Sequence, residues 1–303
     1  MAAQRERAPG KLWPRVLDAS AQGLACGALL PIDTRGEELV EGPLHFAVRV
    51  VSNLARKDGA REAERRLQAA GQRDVNPFLP HDPALWVADL SPTHHVLLNK
   101  FFVVPHHLLL VTRAFAPQEQ WLDTGDFEAL SLVLAQIDGL AFYNGGAEAG
   151  ASQPHKHVQV VPLPLGPGGP RFPLARWLEV GSGVTPQTSE LFPFAHSIGA
   201  LDPMLLRNPR LAAARMCERY HELIQVVGMG PARAGQVQSC PYNLLVTRTH
   251  MVLVPRRQEK VAGISINALG YAGALLVRND EQLCWLREHG PLSALVSAGQ
   301  ARP

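Results

Sequence analysis

The chain has 303 residues, 46% of them apolar and 18% charged, so it can bury a substantial core and has the composition of neither a disordered tail nor a membrane protein. A formal charge of +2 is too little basicity for a nucleic-acid groove. Any polyanion must meet local cations, and the lysines among them are only Lys11, Lys57, Lys100, Lys156 and Lys260.

Residues 1 to about 80 pattern weakly. Cys26, Cys217, Cys240 and Cys284 form no C-x-x-C pair, and "MAAQRERAPGKLWPRV" has no apolar leader, so a reducing cytoplasmic setting is expected. No run approaches the ~20 apolar residues of a membrane span. "HFAVRVV" alternates like a strand, and "GAREAERRLQAAG" reads as a charged helix or a solvated loop. Next, "LWVADL", "HVLLNKFFVV" and "HLLLVT" predict three neighbouring antiparallel strands, with each proline between runs rather than inside one.

"DTGDFEALSLVLAQIDGLAFYN" changes period and predicts a helix with Phe127, Leu130, Leu134, Ile137 and Ala141 on one stripe, capped by Asp123 with Asp126 three residues on. A glycine loop follows, and "PHKHVQVV" returns to alternation as a strand. "PLPLGPGGPRFPL" reads as an irregular crossing loop, and the pattern stays poor to about residue 207. The second block opens with the helix "NPRLAAARMCERYHELIQVV", Asn208 capping and Pro209 at the first helical position. "YNLLVT" and "HMVLVPRR" predict a hairpin, and "DEQLCWLREHG" a late helix. Strands and helices interleave without a regular βαβ series, so the expected class is α+β, a sheet with helices packed against it.

If "PHKHVQVV" is a strand, its period of two puts His155, His157 and Gln159 on one face and Lys156, Val158 and Val160 on the other. Valines want a core, so the polar face must look into a cleft or find partners. The preceding "GAEAGASQ" offers small residues whose N–H groups can approach an anion, with Ser152 and Gln153 adding donors. It is neither a Walker loop nor a dinucleotide fingerprint. Together, loop and imidazole supply what phosphoryl-type transfer needs: donors for non-bridging oxygens and a neutral nitrogen nucleophile.

A strand histidine otherwise packs structurally, and a glycine loop otherwise only turns the chain. The two histidines could also ligate zinc, but no cysteine or acid in the same run completes a tetrahedral set. The pairs His94–His95 and His106–His107 flank strand ends with no chemical neighbours, so surface or packing roles are expected.

At "NGGAEAGASQPHKHVQ" the sequence resembles the diadenosine tetraphosphate phosphorylase (ATP adenylyltransferase) family, of the histidine-triad-like (HIT-like) superfamily. The likeness extends to "NPFLP" (76–80), "LLNKFFVVPHHLLLVT" (97–112), "YNLLVTRTHMVLVPR" (242–256) and "GISINALGYAGALLVRN" (263–279). The resemblance implies a HIT-like antiparallel sheet with packed helices in residues 1–207, carrying H-x-H-x-Q. It assigns 208–303 to a C-terminal ATP adenylyltransferase domain that completes the nucleotide site. It further implies that His157 attacks an α-phosphorus of diadenosine tetraphosphate and expels ATP, after which phosphate releases ADP from the adenylyl-histidine.

Carried over position by position, Asn144, Gly150, Ala151, Ser152, Gln153, His155 and Gln159 would contact nucleotide or phosphates, as would Lys57, Asn99 and Lys100. From the last block come Asn267, Ala268, Leu269, Ala274 and Arg278. Arg278 stands where the family usually has lysine, which keeps the charge and changes the donor geometry, and Ala274 where a larger apolar residue is usual. Gln159 stands where hydrolases of the superfamily have a third histidine. A glutamine is no acid at neutral pH, so the bias is toward transfer. A divalent cation, magnesium, is expected with the polyphosphate, and no residue is named as its ligand.

The expected partners are nucleotides (diadenosine polyphosphates, ATP, ADP) and phosphate, with neither nucleic acid nor membrane. A hexose-1-phosphate uridylyltransferase shares H-x-H-x-Q and is the alternative within the same chemistry; "GISINALGYAGALLV" favours the adenylyl family. A nucleotide-binding protein without turnover is the alternative from another class.

Overall fold

Fifteen strands and seven helices are seen in the computed structural model, which describes residues 11–51, 76–166, 170–178 and 185–302. Lys57, "GAREAERRLQAAG", the first ten residues and the glycines of "GPGGP" at 168 and 169 lie outside the described residues. In chain order the strands are β1 Leu30–Pro31, β2 Thr34–Glu41, β3 Leu44–Val51, β4 Trp86–Asp89, β5 His94–Leu98, β6 Phe101–Phe102, β7 Leu108–Thr112 and β8 Gly139–Gly145. They continue with β9 His157–Pro162, β10 Ser197–Ala200, β11 Tyr242–Val246, β12 His250–Pro255, β13 Lys260–Val261, β14 Ile264–Ser265 and β15 Ala274–Val277. The helices are α1 Leu12–Ala25, α2 Thr124–Leu134, α3 Ala175–Leu178, α4 Pro209–Val226, α5 Ala268–Tyr271, α6 Asp280–His289 and α7 Pro291–Ala298.

Eight strands pair antiparallel in the order β10-β12-β11-β8-β9-β7-β5-β4. The α+β expectation holds, and the sheet runs continuously through residue 207, with β10 before it and β11 and β12 after it. The caps form as read: Asp123 and Asp126 make a capping box at α2, and Asn208 accepts from the Leu211 amide at α4. One face of the sheet packs Val96, Leu98, Leu108, Leu110, Val158 and Val160 against α1, α2 and α4. On the other face, β8 and β11 bury Phe142 and Leu245 against a second layer. That layer is built from the three-stranded sheet β15-β3-β2 and from α6 and α7.

Under β9, β7 and β5 the second layer is incomplete. Among the described residues, Phe78, Leu97, Leu109 and Val111 form a small separate cluster there. A cavity opens beside them.

Two elements differ from the expectation. The helix predicted through Ala141 ends at Leu134, and Ala141 lies in β8. "GLAFYNG" is buried at every position because it is a central strand with a packed layer on each face, Ala141 and Tyr143 on one side and Leu140 and Phe142 on the other, so it shows no alternation to distinguish it from helix. The run "HVLLNKFFVV" also breaks in two, with Asn99 and Lys100 in the turn between β5 and β6.

Candidate active site

The alternation along β9 sets the site. Val158 and Val160 enter the core, while His157 and Gln159 line a cavity of about 1330 Å³. In register, His157 lies opposite Val111, and Gln159 between Leu109 and Phe142.

His157 is 3% exposed, and its Nδ1 lies 2.7 Å from the His155 carbonyl. A carbonyl can only accept, so the proton sits on Nδ1 and the lone pair on Nε2. Burial pushes the imidazole down from 6.5 to about 4, outweighing the bond to the His155 carbonyl, so the ring is neutral at pH 7. Phe78 supplies part of that dry surface, edge-on to His157 at 5.4 Å between ring centroids. Gln118, wholly buried, clamps the backbone: its Oε1 accepts from the His157 amide at 2.8 Å, and its Nε2 donates to the carbonyls of Asn144 and His157 at 2.9 and 3.3 Å.

His155, expected among the nucleotide contacts, does not line the cavity. Asn76 Nδ2 donates to its Nδ1 at 2.9 Å, its Nε2 bonds the Thr112 hydroxyl at 2.9 Å, and Phe78 and Phe115 flank the ring. The segment beginning at Asn76 therefore covers it, and what it offers the site is its carbonyl.

The glycine loop is arranged differently from a bare anion cradle. The N–H groups of Ala149, Gly150 and Ala151 are bonded to carbonyls of Gly146 and Ala147 within the loop, and Ala151 does not line the cavity. Gly150, Ser152 and Gln153 do. Gly150 has φ +88°, and a Cβ there would meet Asn267 Cβ at 2.8 Å and the Ile266 carbonyl at 2.9 Å. Only glycine lets the C-terminal block close onto the loop.

Asn144 joins the same two parts. Its Oδ1 accepts from the Ala268 amide and from Asn243 Nδ2, both at 2.9 Å, so a ligand meets this amide as a donor. Ala268 itself is buried away from the cavity. Behind it, buried Arg256 donates to Asn243 Oδ1 at 2.5 Å and to the Ala149 carbonyl at 3.3 Å. Asn267 caps α5 through the Leu269 amide and lines the cavity with Leu269, Ala274 and Arg278. Across from them stand Asn99 and Lys100. Lys100 and Arg278 thus bring positive charge to a cavity that the sequence's net charge left unaddressed.

The paired histidines depart most from the expectation. His107 lines the cavity, where its Nδ1 lies 3.1 Å from Asn99 Nδ2 and its Nε2 3.0 Å from Gln159 Oε1. His94, on the opposite face of the sheet, bonds Asp126 Oδ1 at 3.1 Å, and Lys156 Nζ meets Asp126 Oδ2 at 2.5 Å. His95 is buried beside His81 and is pushed down to about 4, chiefly by burial. His106 bonds the Ser20 hydroxyl at 2.9 Å. Gln118, Asn243 and Arg256 were not singled out from sequence at all. Only His107 left a usable signal there, because it shares the parity of Leu109 and Val111.

Among the described residues no group of three or more His, Cys, Asp or Glu is placed to hold a metal ion.

Residues 2–180 match the family model described as the Ap4A phosphorylase N-terminal domain, and residues 190–301 match the ATP adenylyltransferase C-terminal domain. Among characterised proteins, the chain is 29% identical over 236 residues to diadenosine 5',5'''-P1,P4-tetraphosphate phosphorylase 2 of Saccharomyces cerevisiae, covering 69% of this chain and 70% of that protein. It is 26% identical over 210 residues to Protein APA1 of the same yeast, covering 63% of each. The crystal structure of yeast Ap4A phosphorylase Apa2 in complex with Ap4A superposes with a TM-score of 0.77 at 25% identity, covering 96% of this chain and 98% of that one.

Proposed function

The chain belongs to the Ap4A phosphorylase family, and from that premise we propose that it is a nucleotidyltransferase that splits diadenosine tetraphosphate with inorganic phosphate into ATP and ADP. The observation that carries the mechanism is the neutral imidazole of His157, held by its Nδ1–H, with its other face toward a cavity bearing Lys100 and Arg278. Both matched models belong to adenylyl chemistry, which disfavours the uridylyl alternative. A yeast relative was crystallised with AMP and with Ap4A, so small nucleotides are the expected ligands.

In the first step Nε2 of His157 forms a bond to an α-phosphorus as the bond from that phosphorus to the bridging oxygen breaks, and ATP leaves with the electron pair. The imidazole gains positive charge, which the Nδ1–H bond to the His155 carbonyl stabilises. In the second step a phosphate oxygen attacks the same phosphorus, the P–N bond returns its pair to Nε2, and ADP departs. Gln159, Ser152 and Gln153 are the donors for the non-bridging oxygens, and Lys100 and Arg278 offset the polyphosphate charge. A cavity of about 1330 Å³ exceeds the ~300–1,000 Å³ of ordinary small-molecule pockets, as a ligand with a nucleoside at each end requires. Any magnesium is carried in on the polyphosphate, and no step here depends on it.

Incubation with diadenosine tetraphosphate in the absence of phosphate should release one ATP per chain and leave the protein heavier by an adenylyl group. Added phosphate should then discharge ADP. A protein that returns the substrate intact would be a binding protein, and turnover without an adduct on His157 would remove the covalent route.

A further inference from the structure

Gln159 can serve the transferred phosphoryl group only if its amide presents nitrogen to the cavity. A free glutamine presents either end, since the two orientations differ by one rotation of the terminal amide. Two neighbouring side chains set the choice in this structure. With the Asn99 amide oriented as it is in this structure, its Nδ2 lies 3.1 Å from His107 Nδ1 and can only donate, so Nδ1 is the acceptor. The ring proton is then on Nε2, which lies 3.0 Å from Gln159 Oε1. That oxygen is held by a donor, and the Gln159 nitrogen is the end left to meet a ligand.

His107 is itself fixed from two further directions. Its carbonyl accepts from the Asn99 amide at 2.8 Å, and its ring packs on Phe142 at 5.7 Å between centroids. We infer that His107 is a positioning residue: the chain Asn99, His107, Gln159 sets the amide of Gln159 so that its N–H groups face the phosphorus-bound oxygens during transfer. The inference rests on the reading that Gln159 donates to those oxygens. It also gives Asn99, which lines the cavity, a second role, through His107.

A double-mutant cycle tests it. His107→Phe keeps an aromatic ring on Phe142 and removes the donor, and His107→Leu is a second donorless variant should the first not fold. His107→Gln places an amide N–H near the position of Nε2. Losing the hold on Gln159 should lower kcat and kcat/KM together by about tenfold, with KM within about twofold, as for a contact made in the transition state. In a Gln159→Ala background the same His107 substitution should cost less than about twofold, because the residue it acts through is gone. His107→Gln should recover most of the rate. Losses that multiply in the double variant, or a His107→Gln enzyme as slow as the donorless ones, would overturn the assignment of His107. A Gln159→Ala enzyme with unchanged kcat would instead sink the reading of Gln159 itself, a separately visible failure.

Discussion

Strand β9 and Lys156, the residue before it, bury polar side chains on both faces of the sheet, and the two faces handle them in opposite ways. Toward the cavity, His157 has no ion partner among the described residues, and burial makes it neutral. Toward the helices, Lys156 is equally buried at 3% side-chain exposure, but Asp126 lies 2.5 Å away and the Trp121 carbonyl 2.9 Å away. Burial pulls the Asp126 carboxyl up, yet the bond from His94 and the charge of Lys156 outweigh it and leave it below its ordinary value. The same run of residues therefore presents a neutral nucleophile on one side and a compensated charge cluster on the other. What decides between them is whether an opposite charge is within reach, since an unpaired buried charge is far too costly to keep.

Removing the nucleophile should give the largest effect on one face alone. His157→Ala is expected to lower phosphorolysis by on the order of 10⁴-fold or more while nucleotide binding largely remains, measured by turnover and by calorimetric titration. Substantial residual turnover would mean that another group is the nucleophile. Breaking the other face should act on stability: Asp126→Ala leaves the buried Lys156 charge with only the longer ion contact to Asp123 at 3.9 Å among the described residues, at a cost of about 3 kcal/mol in chemical denaturation. The paired change Asp126→Leu with Lys156→Met should be much less damaging than the single one. Equal damage would show that the capping box and the His94 bond, not the charge of Lys156, dominate that side.

A third experiment sharpens the contrast through pH. His157 and His95 each have a folded value of about 4 against an ordinary 6.5, so between those values the unfolded chain binds the extra protons and stability rises with pH. This contribution is complete above pH 6.5 and is lost as pH falls toward 4. The Asp126 contribution, with its value lowered from 3.8, is lost only below that. Phe78→Ala should let water reach the imidazole, raise its value toward 6.5 and flatten the first slope, as read by histidine NMR titration and by denaturation midpoints from pH 7 to 4. An unmoved titration would show that Phe78 is not what keeps the ring dry. The smallest expected effect is in product identity: Gln159→His should raise AMP relative to ADP, by bringing an ionisable ring to the departing group. An unchanged ratio would remove glutamine from the control of transfer over hydrolysis.

Much of this was legible because it is local. The capping box at Asp123 and Asp126, the Asn208-Pro209 start of α4 and the hairpin at 242–256 each follow from a few adjacent residues. The misreadings share a cause. Ala141 reads as helix because a central strand covered on both faces shows no alternation, and His107 reads as a strand end because its partner is 52 residues away. The first 80 residues were hard to read because β2, "TRGEELVE", lies at a sheet edge with half its residues exposed and carries few apolar residues to mark a face.

The sequence by itself determined the period-two placement of His157 and Gln159 on one face, the valines behind them and the small-residue loop before them, since backbone geometry dictates which neighbours share a side. Tertiary structure decided that His157 is neutral, that His155 is covered by Asn76 and Phe78, that Lys156 finds Asp126, and that His107 reaches Gln159. Each of those depends on the register between distant segments and on how completely water is excluded. Neither quantity exists until the sheet has formed.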